Sequence, residues 1–447
     1  MSELKRALGP VMLWGLGVGY VISGMYFGWN LGLPLGGTGG MAAAIVIATI
    51  LYVTFIFSYT ELACAIPRAG GAFDFGLRAF GPTGGLVLGV AQLVEFLFAP
   101  PAIAAAIGAY FNLFFPAASP AAIAIVAYVL FTALNIWGVK QAAAFELVVT
   151  IAAVGELLLF MAVTAPRFDV ALFARDALPH GWGGALACLP FGVWMYLGIE
   201  GVANVAEEAR DPHRDIVRGF GWAIATLVVL ALGVFVTSVG VAGWPAVVYP
   251  SPGAAPSDSP LPLALGHVVG GRGPMFHLLV TVGLFGLVAS FHGIVLAAGR
   301  AAFELGRTGY APAFIGRVNP RTRTPAAALV VNAVVGITAI LSSRTGDLIV
   351  LSGFGALTLY AFSMVALFAL RRRVPALARP FRAVAYPWFP AIALVLALIS
   401  LGAMAWTNRP VAAVYAAIVV GAGVYWKLAS KRRSGRRPEG PAGAPGP

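Results

Sequence analysis

Four glutamates stand inside long apolar segments of the sequence: Glu95, Glu146, Glu156 and Glu200. If such a segment crosses a membrane, an ionised side chain within it costs about 2.5–3.5 kcal/mol on insertion scales. Residues with that cost usually serve a function, and a carboxylate there can hold an ammonium group or carry a proton. Glu146 lies near the end of its segment and fits a structural role. Glu95, Glu156 and Glu200 are therefore candidates for chemistry, with a hydrogen-bonded structural carboxylate as the alternative for each.

Aromatic and small polar residues could complete a site for a small cation. Trp194 precedes Glu200 by six residues, and the face of an aromatic ring attracts an ammonium group by about 0.5–2 kcal/mol. Ser290 could bind a substrate or line a cation site, and His292 could carry protons because histidine titrates near neutral pH. Core packing is the alternative for each aromatic residue. The further aromatic candidates are Tyr20, Tyr26, Phe191, Tyr196 and Phe291.

The amino-acid composition predicts that these residues lie on membrane-spanning helices. The 447 residues are 60% hydrophobic and only 10% charged, and the mean hydropathy is +0.89. Soluble domains carry about 25% charged residues, so a soluble globular chain and a disordered chain are both excluded. Because one span needs about 20 apolar residues, the sequence predicts an all-α polytopic membrane protein. The twelve predicted transmembrane helices cover residues 9–32, 41–65, 83–115, 120–138, 141–164, 183–206, 219–243, 275–305, 326–343, 347–370, 387–406 and 411–427.

The basic residues predict the orientation of these helices. The formal net charge is +12, and 24 of the 29 lysines and arginines fall on one side when the N-terminus is placed inside. Cytoplasmic loops carry an excess of Lys and Arg, so both termini are predicted to be cytoplasmic. Topology thus accounts for the charge, and nucleic-acid binding is not expected. The first apolar segment is expected to be a span, not a cleaved signal.

Other patterns give no support for an enzyme, a metal site or a cofactor. Cys64 and Cys188 stand in apolar surroundings and fit small buried hydrophobic residues. The glycine-rich stretches 15–19 and 36–40 resemble phosphate loops, but neither follows a predicted strand or precedes Gly-Lys-Ser/Thr. The five histidines do not cluster along the chain. We therefore expect neither a cofactor nor a bound metal, apart from a coupling ion such as H⁺ or Na⁺.

Two of the predicted spans are unusually rich in residues that weaken helices. The first contains glycines throughout 15–28, and the sixth contains Pro190 followed by glycines up to Gly201. Broken helices at corresponding positions of two repeats indicate a transporter site near the middle of the membrane. If the chain contains two five-helix repeats, these spans are the first helix of each. Close helix packing is the alternative explanation for the glycines.

Three segments carry a family likeness. Glu61 to Phe73, Gly198 to Arg214, and Arg300 to Pro312 with the following Thr324-Pro325, resemble matching segments of the amino acid–polyamine–organocation permeases. The likeness covers spans one to ten, about 370 residues. It implies a fold of two inverted five-helix repeats, as in LeuT, plus two C-terminal helices.

A narrower likeness is to the ethanolamine permeases. It rests on Val94 to Ala104 in span three, Glu156 to Phe160 in span five and Leu284 to Gly293 in span eight. It implies a secondary transporter that imports ethanolamine, a small organic cation, across the cytoplasmic (inner) membrane by alternating access. An amino-acid permease of the same fold is the main alternative, and a channel or a transporter-like sensor is less favoured. The oligomeric state stays open.

The likeness also divides the chain. It implies a cytoplasmic N-terminus at 1–8, a first repeat at 9–164, a second repeat at 183–370, two further spans at 387–427 and a basic disordered tail at 428–447.

Site residues follow from the same likeness. Amino-acid carriers of this superfamily bind the substrate carboxylate with backbone amides where span one breaks. Here that stretch is Ile22-Ser23-Gly24, which lacks one glycine of the usual Gly-Ser-Gly, and so fits a substrate without a carboxylate. Glu95 is expected to hold the ammonium group, and Glu200 resembles a gate or proton-sensitive hinge. The expected substrate-binding residues are Ile22, Ser23, Gly24, Tyr26, Glu95, Phe191, Trp194, Tyr196, Gly198, Glu200, Ser290 and Phe291. The expected gating or coupling residues are Tyr20, Glu156, Glu200 and His292.

One departure from the family concerns coupling. Some proton-coupled relatives have a lysine in span five, and counting from Lys140 places that position at Ala153. Sodium coupling, proton coupling through a carboxylate and facilitated exchange therefore all remain open.

Overall fold

The computed structural model describes residues 7–68, 70–137 and 142–434. Within these ranges the regular structure is helical, apart from one isolated parallel β-bridge between Leu8 and Ala209. The α-helices are α1 Pro10–Val21, α2 Ser23–Tyr26, α3 Leu33–Ala65, α4 Ala72–Phe80, α5 Pro82–Asn112, α6 Pro120–Trp137, α7 Ala142–Thr164, α8 Val170–Ala174, α9 Gly181–Ala187, α10 Leu189–Trp194, α11 Pro212–Ala242, α12 Trp244–Val248, α13 Pro260–Val269, α14 Pro274–Thr308, α15 Ala326–Ser342, α16 Thr345–Arg373, α17 Trp388–Thr407 and α18 Arg409–Ser434.

The helices confirm the predicted all-α polytopic membrane fold. In the described part of the chain, ten helical segments are long and apolar enough to cross a membrane. Two shorter apolar segments, Pro10–Tyr26 and Ala326–Ser342, coincide with the first and ninth predicted spans. Each of the twelve predicted spans thus has a helical counterpart.

Some elements differ from the sequence prediction. The short helix α4 was not predicted, because its nine residues are too few to span a membrane and include the charged residues Asp74 and Arg78. Helix α13, in the long link after span seven, was also not predicted. Helix α18 continues to Ser434, so the first residues of the predicted disordered tail are helical. The rest of that tail, 435–447, lies outside the described residues.

Span one is interrupted less than its sequence predicts. Helices α1 and α2 meet at Ile22, which keeps right-handed helical angles of φ −58° and ψ −25°. The chain leaves the helix only at Phe27, which is extended, and at Gly28, with φ +91°. The expected break at Ile22-Ser23-Gly24 is therefore corrected to Phe27-Gly28, where the positive φ requires a residue without Cβ.

Span six is broken as its sequence predicts. Helix α10 ends at Trp194, and the chain turns over the next four residues. Gly198 is left-handed, with φ +104°, and a 3-10 helix, Ile199–Glu208, completes the span. A change from α to 3-10 geometry in mid-span redirects backbone groups and side chains toward neighbouring helices.

Helix α5 crosses α16 in backbone contact near the centre of the bundle. A Cβ on Gly355 of α16 would lie 2.6 Å from the backbone nitrogen of Glu95, so only glycine permits this approach. One turn away, the hydroxyl of Ser352 donates to the Glu95 carbonyl at 2.8 Å. These contacts fix the depth and rotation of Glu95.

The face of the bundle at which span one begins, here called the N-terminal face, is closed by polar contacts. Glu61, at the end of α3, accepts hydrogen bonds from Arg371, and Arg379 lies 3.2 Å from its carboxylate. The chain before α1 is joined to the end of span six by backbone bonds from Ala7 and Leu8 to the Glu208 carbonyl, each 2.9 Å. The start of span one is therefore tied to the end of span six.

Candidate functional site

The centre of the site is formed by Glu95 of α5 and Glu200 just after the break in span six, here called the carboxyl pair. Both side chains are buried, with 0% and 2% exposure. In the described part of the chain, no N–H or hydroxyl donates to either side-chain oxygen of Glu95 or to Oε1 of Glu200. The two carboxyl groups instead lie within hydrogen-bonding range of each other.

Tyrosines surround the carboxyl pair. The hydroxyl of Tyr360 donates to Oε2 of Glu200 at 2.9 Å, and lies 3.0 Å from the hydroxyl of Tyr52. The rings of Tyr196 and Tyr360 each pack 5.2 Å from the ring of Tyr52. Tyr59, seven residues after Tyr52, shares its face of α3. We refer to Tyr52, Tyr59, Tyr196 and Tyr360 as the tyrosine cluster.

Among the described residues, no basic side chain forms an ion pair with the carboxyl pair. The ion pairs in the described ranges join arginines to Glu61, Glu208 and Glu304, and none reaches Glu95 or Glu200. Two buried carboxylates without a countercharge repel each other and are costly to desolvate. The arrangement can be stabilised by a proton or by a bound cation, and aromatic rings beside it favour an organic ammonium.

The polar groups of spans one and eight meet next to this site. The Ser290 hydroxyl lies 2.8 Å from both the carbonyl of Tyr20 and the hydroxyl of Ser23. Gly24 packs so closely against span six that a Cβ there would lie 2.7 Å from the carbonyl of Trp194. Ile22, between Val21 and Ser23 in the chain, is fully buried. These residues hold span one against spans six and eight.

Trp194 links the breaks of spans one and six, and Tyr196 contacts span two. The indole N–H of Trp194 donates to the Phe27 carbonyl at 3.0 Å, and its ring meets the Phe27 ring edge-on at 5.4 Å. The Tyr196 hydroxyl lies 2.6 Å from that of Thr49. Trp194 therefore ties the point where span one leaves its helix to the span that carries Glu200.

A second, separate group surrounds Glu156 on α7. Tyr26 donates to its carboxylate at 2.6 Å, and Tyr110 donates to the Tyr26 carbonyl at 3.0 Å. These residues line a small cavity of about 10 Å³, and Leu261 of α13 also lines it. Tyr26 and Glu156 thus form their own hydrogen-bonded unit apart from the carboxyl pair.

Several expected site residues lie elsewhere. Phe291 packs against the rings of Tyr128 and Phe131 on α6, at 4.9 and 5.9 Å, and His292 also lies 5.9 Å from Phe131. Phe191 lies at the start of α10, beside Gly32 and Gly346. The structure therefore does not bring these three side chains to the carboxyl pair.

Tyr20 is an expected gating residue, whereas Glu146 is expected to be structural. The ring of Tyr20 packs against Gly201 and Gly293, so it separates spans six and eight there. Glu146 is buried, and its Oε1 lies beside Gly19 without a donor among the described residues. It makes no contact with the carboxyl pair among the described hydrogen bonds, and its structural role stays a prediction.

Sequence analysis missed Tyr52, Tyr59 and Tyr360. All three lie well inside apolar spans, whereas tyrosines in membrane proteins concentrate near the ends of helices. Their depth, and the seven-residue spacing of Tyr52 and Tyr59, are signals that could have identified them. Their partner across the bundle, Tyr360, requires knowledge of how α16 packs.

The comparisons with known proteins agree with this architecture. A family model described as amino acid permease matches residues 8–425. The chain is 30% identical to an uncharacterised transporter of Rhizobium meliloti, over 89% of this chain and 85% of that protein. It is 23% identical to the branched-chain amino acid permease BcaP of Bacillus subtilis, over 91% and 90% of the two chains. It is 27% identical to the low-affinity putrescine importer PlaP of Escherichia coli, over 83% of each.

The match spans nearly the whole helical bundle, including both interrupted spans and the carboxyl pair. This multi-pass membrane protein belongs to the amino acid permease family.

Proposed function

We propose that the protein is a secondary transporter that imports ethanolamine, or a closely related small amine, across the cytoplasmic membrane by alternating access. The observation that carries this proposal is the buried carboxyl pair, which has no basic partner in the described chain and faces the tyrosine cluster. A small ammonium supplies the missing positive charge, and the hydroxyls of Tyr52 and Tyr360 offer hydrogen-bond partners for an alcohol group.

The surroundings of span one also favour a substrate without a carboxylate. The Ser23 hydroxyl is engaged with Ser290, and Gly24 packs on the carbonyl of Trp194. A substrate carboxylate needs exposed N–H or hydroxyl donors, whereas the nearest charged groups here are themselves carboxylates. An amino acid would therefore bring a negative charge toward Glu95 and Glu200, and this repulsion disfavours it.

Amino-acid transport is the second candidate, and the family match favours it. Relatives of similar length include a permease named for branched-chain amino acids and an importer named for putrescine, an amine without a carboxylate. The same helical framework is therefore associated with both substrate classes, and the site must decide between them.

The test is uptake of labelled ethanolamine into proteoliposomes, with unlabelled ethanolamine, putrescine, choline, alanine and serine as competitors. We expect saturable uptake that ethanolamine blocks and the amino acids do not. Glu95→Gln should abolish this uptake while Glu146→Gln, a matched change at a buried carboxyl outside the pair, preserves it. Uptake of alanine or serine in place of ethanolamine would establish the second candidate, and normal uptake by Glu95→Gln would remove Glu95 from the site.

A further inference from the structure

The contact between the two carboxyl groups requires a proton. Two carboxylates can only accept hydrogen bonds, so a hydrogen bond between Glu95 and Glu200 exists only when at least one of them is protonated. Among the described residues no N–H or hydroxyl donates to Glu95, and the hydroxyl of Tyr360 donates to Oε2 of Glu200. The shared proton therefore occupies the space between the two side chains.

A substrate ammonium must use the same space. An ammonium group has three N–H donors, which suit two facing carboxylates. Because an ammonium that binds both carboxyl groups must lie between them, it has to replace the proton that bridges Glu95 and Glu200. Proton and ammonium are thus mutually exclusive occupants of one position.

We propose that the carboxyl pair exchanges one proton for one substrate ammonium. The proton leaves the bridging position for solvent, the ammonium enters between the two carboxyl groups, and no covalent bond other than that O–H bond is broken. One positive charge leaves for each that enters, so the buried net charge is unchanged. This inference rests on the proposed function and specifies how the carrier is coupled.

Charge conservation supports the exchange. An additional unit charge 4 Å from a carboxylate changes the energy by about 4 kcal/mol at an effective dielectric constant of 20. If each ammonium replaces one proton, the empty and the occupied site carry the same net charge, and this energy difference between the two states does not arise. The exchange also leaves a proton on the carboxyl pair while the carrier without substrate returns to its outward-facing state.

The groups that face the pair do not offer another route for the proton. From α3 the titratable groups are Tyr52 and Tyr59, and from α16 the group is Tyr360. From α14 the nearest titratable side chain, His292, faces Phe131 of α6 instead. Tyr20 of α1 is directed at Gly201 and Gly293, Tyr196 lies beside Thr49, and Asp74 lies on α4. Glu61 of α3 is bound to Arg371, and Glu304 of α14 to Arg307.

The consequence is a specific dependence on pH. Where the pair is protonated, the apparent Kd for the amine should rise about tenfold for each unit by which the pH falls, since each bound amine displaces one proton. Uptake should be electroneutral, inhibited by external acid in competition with substrate, and stimulated by acid inside. Proton symport predicts the opposite response to external acid.

The test is isothermal titration of the purified full-length protein with ethanolamine at pH 7, in two buffers with different ionisation enthalpies. The difference between the two observed heats, divided by the difference between the buffer enthalpies, counts the protons released. We expect about one proton per bound amine. A thermal shift with ethanolamine, measured in parallel, detects binding even where the heat is small.

The variants separate the pair from other sources of protons. In Glu95→Gln the amide N–H can donate to Glu200 and replace the shared proton by a fixed donor, so we expect a normal fold, at least tenfold weaker binding and no proton release. Glu200→Gln serves as the second variant if the first does not fold. Glu146→Gln should still release one proton. Release of a proton by Glu95→Gln would show that the proton comes from the amine or another group, and would overturn the exchange.

The outcomes distinguish this inference from the proposed function. Binding with about one proton released supports both. Saturable binding without proton release overturns the exchange and leaves ethanolamine as the substrate. Absence of both heat and thermal shift with ethanolamine overturns the proposed function and the exchange together.

Discussion

The Tyr360 hydroxyl should strengthen substrate binding because it donates to Glu200 at 2.9 Å. The substitution Tyr360→Phe removes that donor but keeps the ring, which packs 4.2 Å from Phe55 and 5.2 Å from Tyr52. Any loss therefore comes from hydrogen bonding, with little contribution from packing.

The size of the effect follows from the type of bond. A hydrogen bond to a charged group contributes about 1.5–3 kcal/mol, and a factor of ten in affinity corresponds to about 1.4 kcal/mol. If Glu200 needs this donor when it holds the ammonium, Tyr360→Phe should weaken ethanolamine binding roughly 10- to 100-fold. Tyr52 also loses a partner 3.0 Å away, so a modest drop in thermal stability should accompany the loss.

The assay is isothermal titration with ethanolamine, together with thermal unfolding of each variant. Tyr59→Phe is the matched control, because Tyr59 belongs to the same cluster, is 1% exposed and makes no hydroxyl hydrogen bond in the described structure. It should bind ethanolamine within about twofold of the wild type. If Tyr360→Phe binds as tightly as Tyr59→Phe, the Tyr360 hydroxyl does not support the site and the reasoning is refuted.

Three further predictions concern other parts of the molecule. Trp194→Leu should weaken amine binding more than Trp194→Phe, since only the latter keeps an aromatic face worth about 0.5–2 kcal/mol; equal dissociation constants would argue against a ring–ammonium contact. Burial raises the pKa of Asp258 to about 6, although the hydrogen bond from Thr345 at 2.8 Å opposes that shift. The folded protein therefore binds this proton more tightly than the unfolded chain does. The resulting stabilisation is complete below pH 4 and is lost as the pH rises through 6. Asp258→Asn should therefore raise thermal stability at pH 8, by at most about 3 kcal/mol, and leave it unchanged at pH 4; a gain of equal size at both values would contradict this. Glu61→Gln should lower the melting temperature markedly, because it leaves Arg371 without its carboxylate, and unchanged melting would show that the contact contributes little.

Much of the architecture could be predicted because hydropathy reports directly on it. Each apolar segment longer than about 20 residues became a helix, and the combination of Pro190 and glycines correctly marked the break in span six. Span one shows the limit of that reasoning. Glycines permit an interruption but do not fix its position, and packing of Gly24 on the Trp194 carbonyl keeps Ile22-Ser23-Gly24 helical up to Phe27.

The site was predicted as single residues, not as an arrangement. The cost of burying charge marked Glu95 and Glu200 separately, yet nothing in the sequence shows that two helices far apart in the chain turn these carboxyl groups toward each other. Tyr360 depends on the crossing of α5 and α16, which the backbone contact at Gly355 sets. Phe291, which follows Ser290 in the sequence, was predicted to bind substrate, but its side chain packs against α6 and not against the carboxyl pair. Ethanolamine itself stays a prediction.

The hydrogen bonds of the β-bridge at the N-terminal face offer a way to observe movement of span one relative to span six. The amides of Ala7 and Leu8 donate to Glu208, and the Arg210 amide donates to Leu8 at 2.9 Å. Their exchange with deuterium requires these bonds to open. Any step that separates the start of span one from the end of span six must open them. Peptides containing Leu8 or Arg210 should therefore take up deuterium faster when that step opens these bonds more often, so that mass spectrometry can follow the movement in an unlabelled carrier.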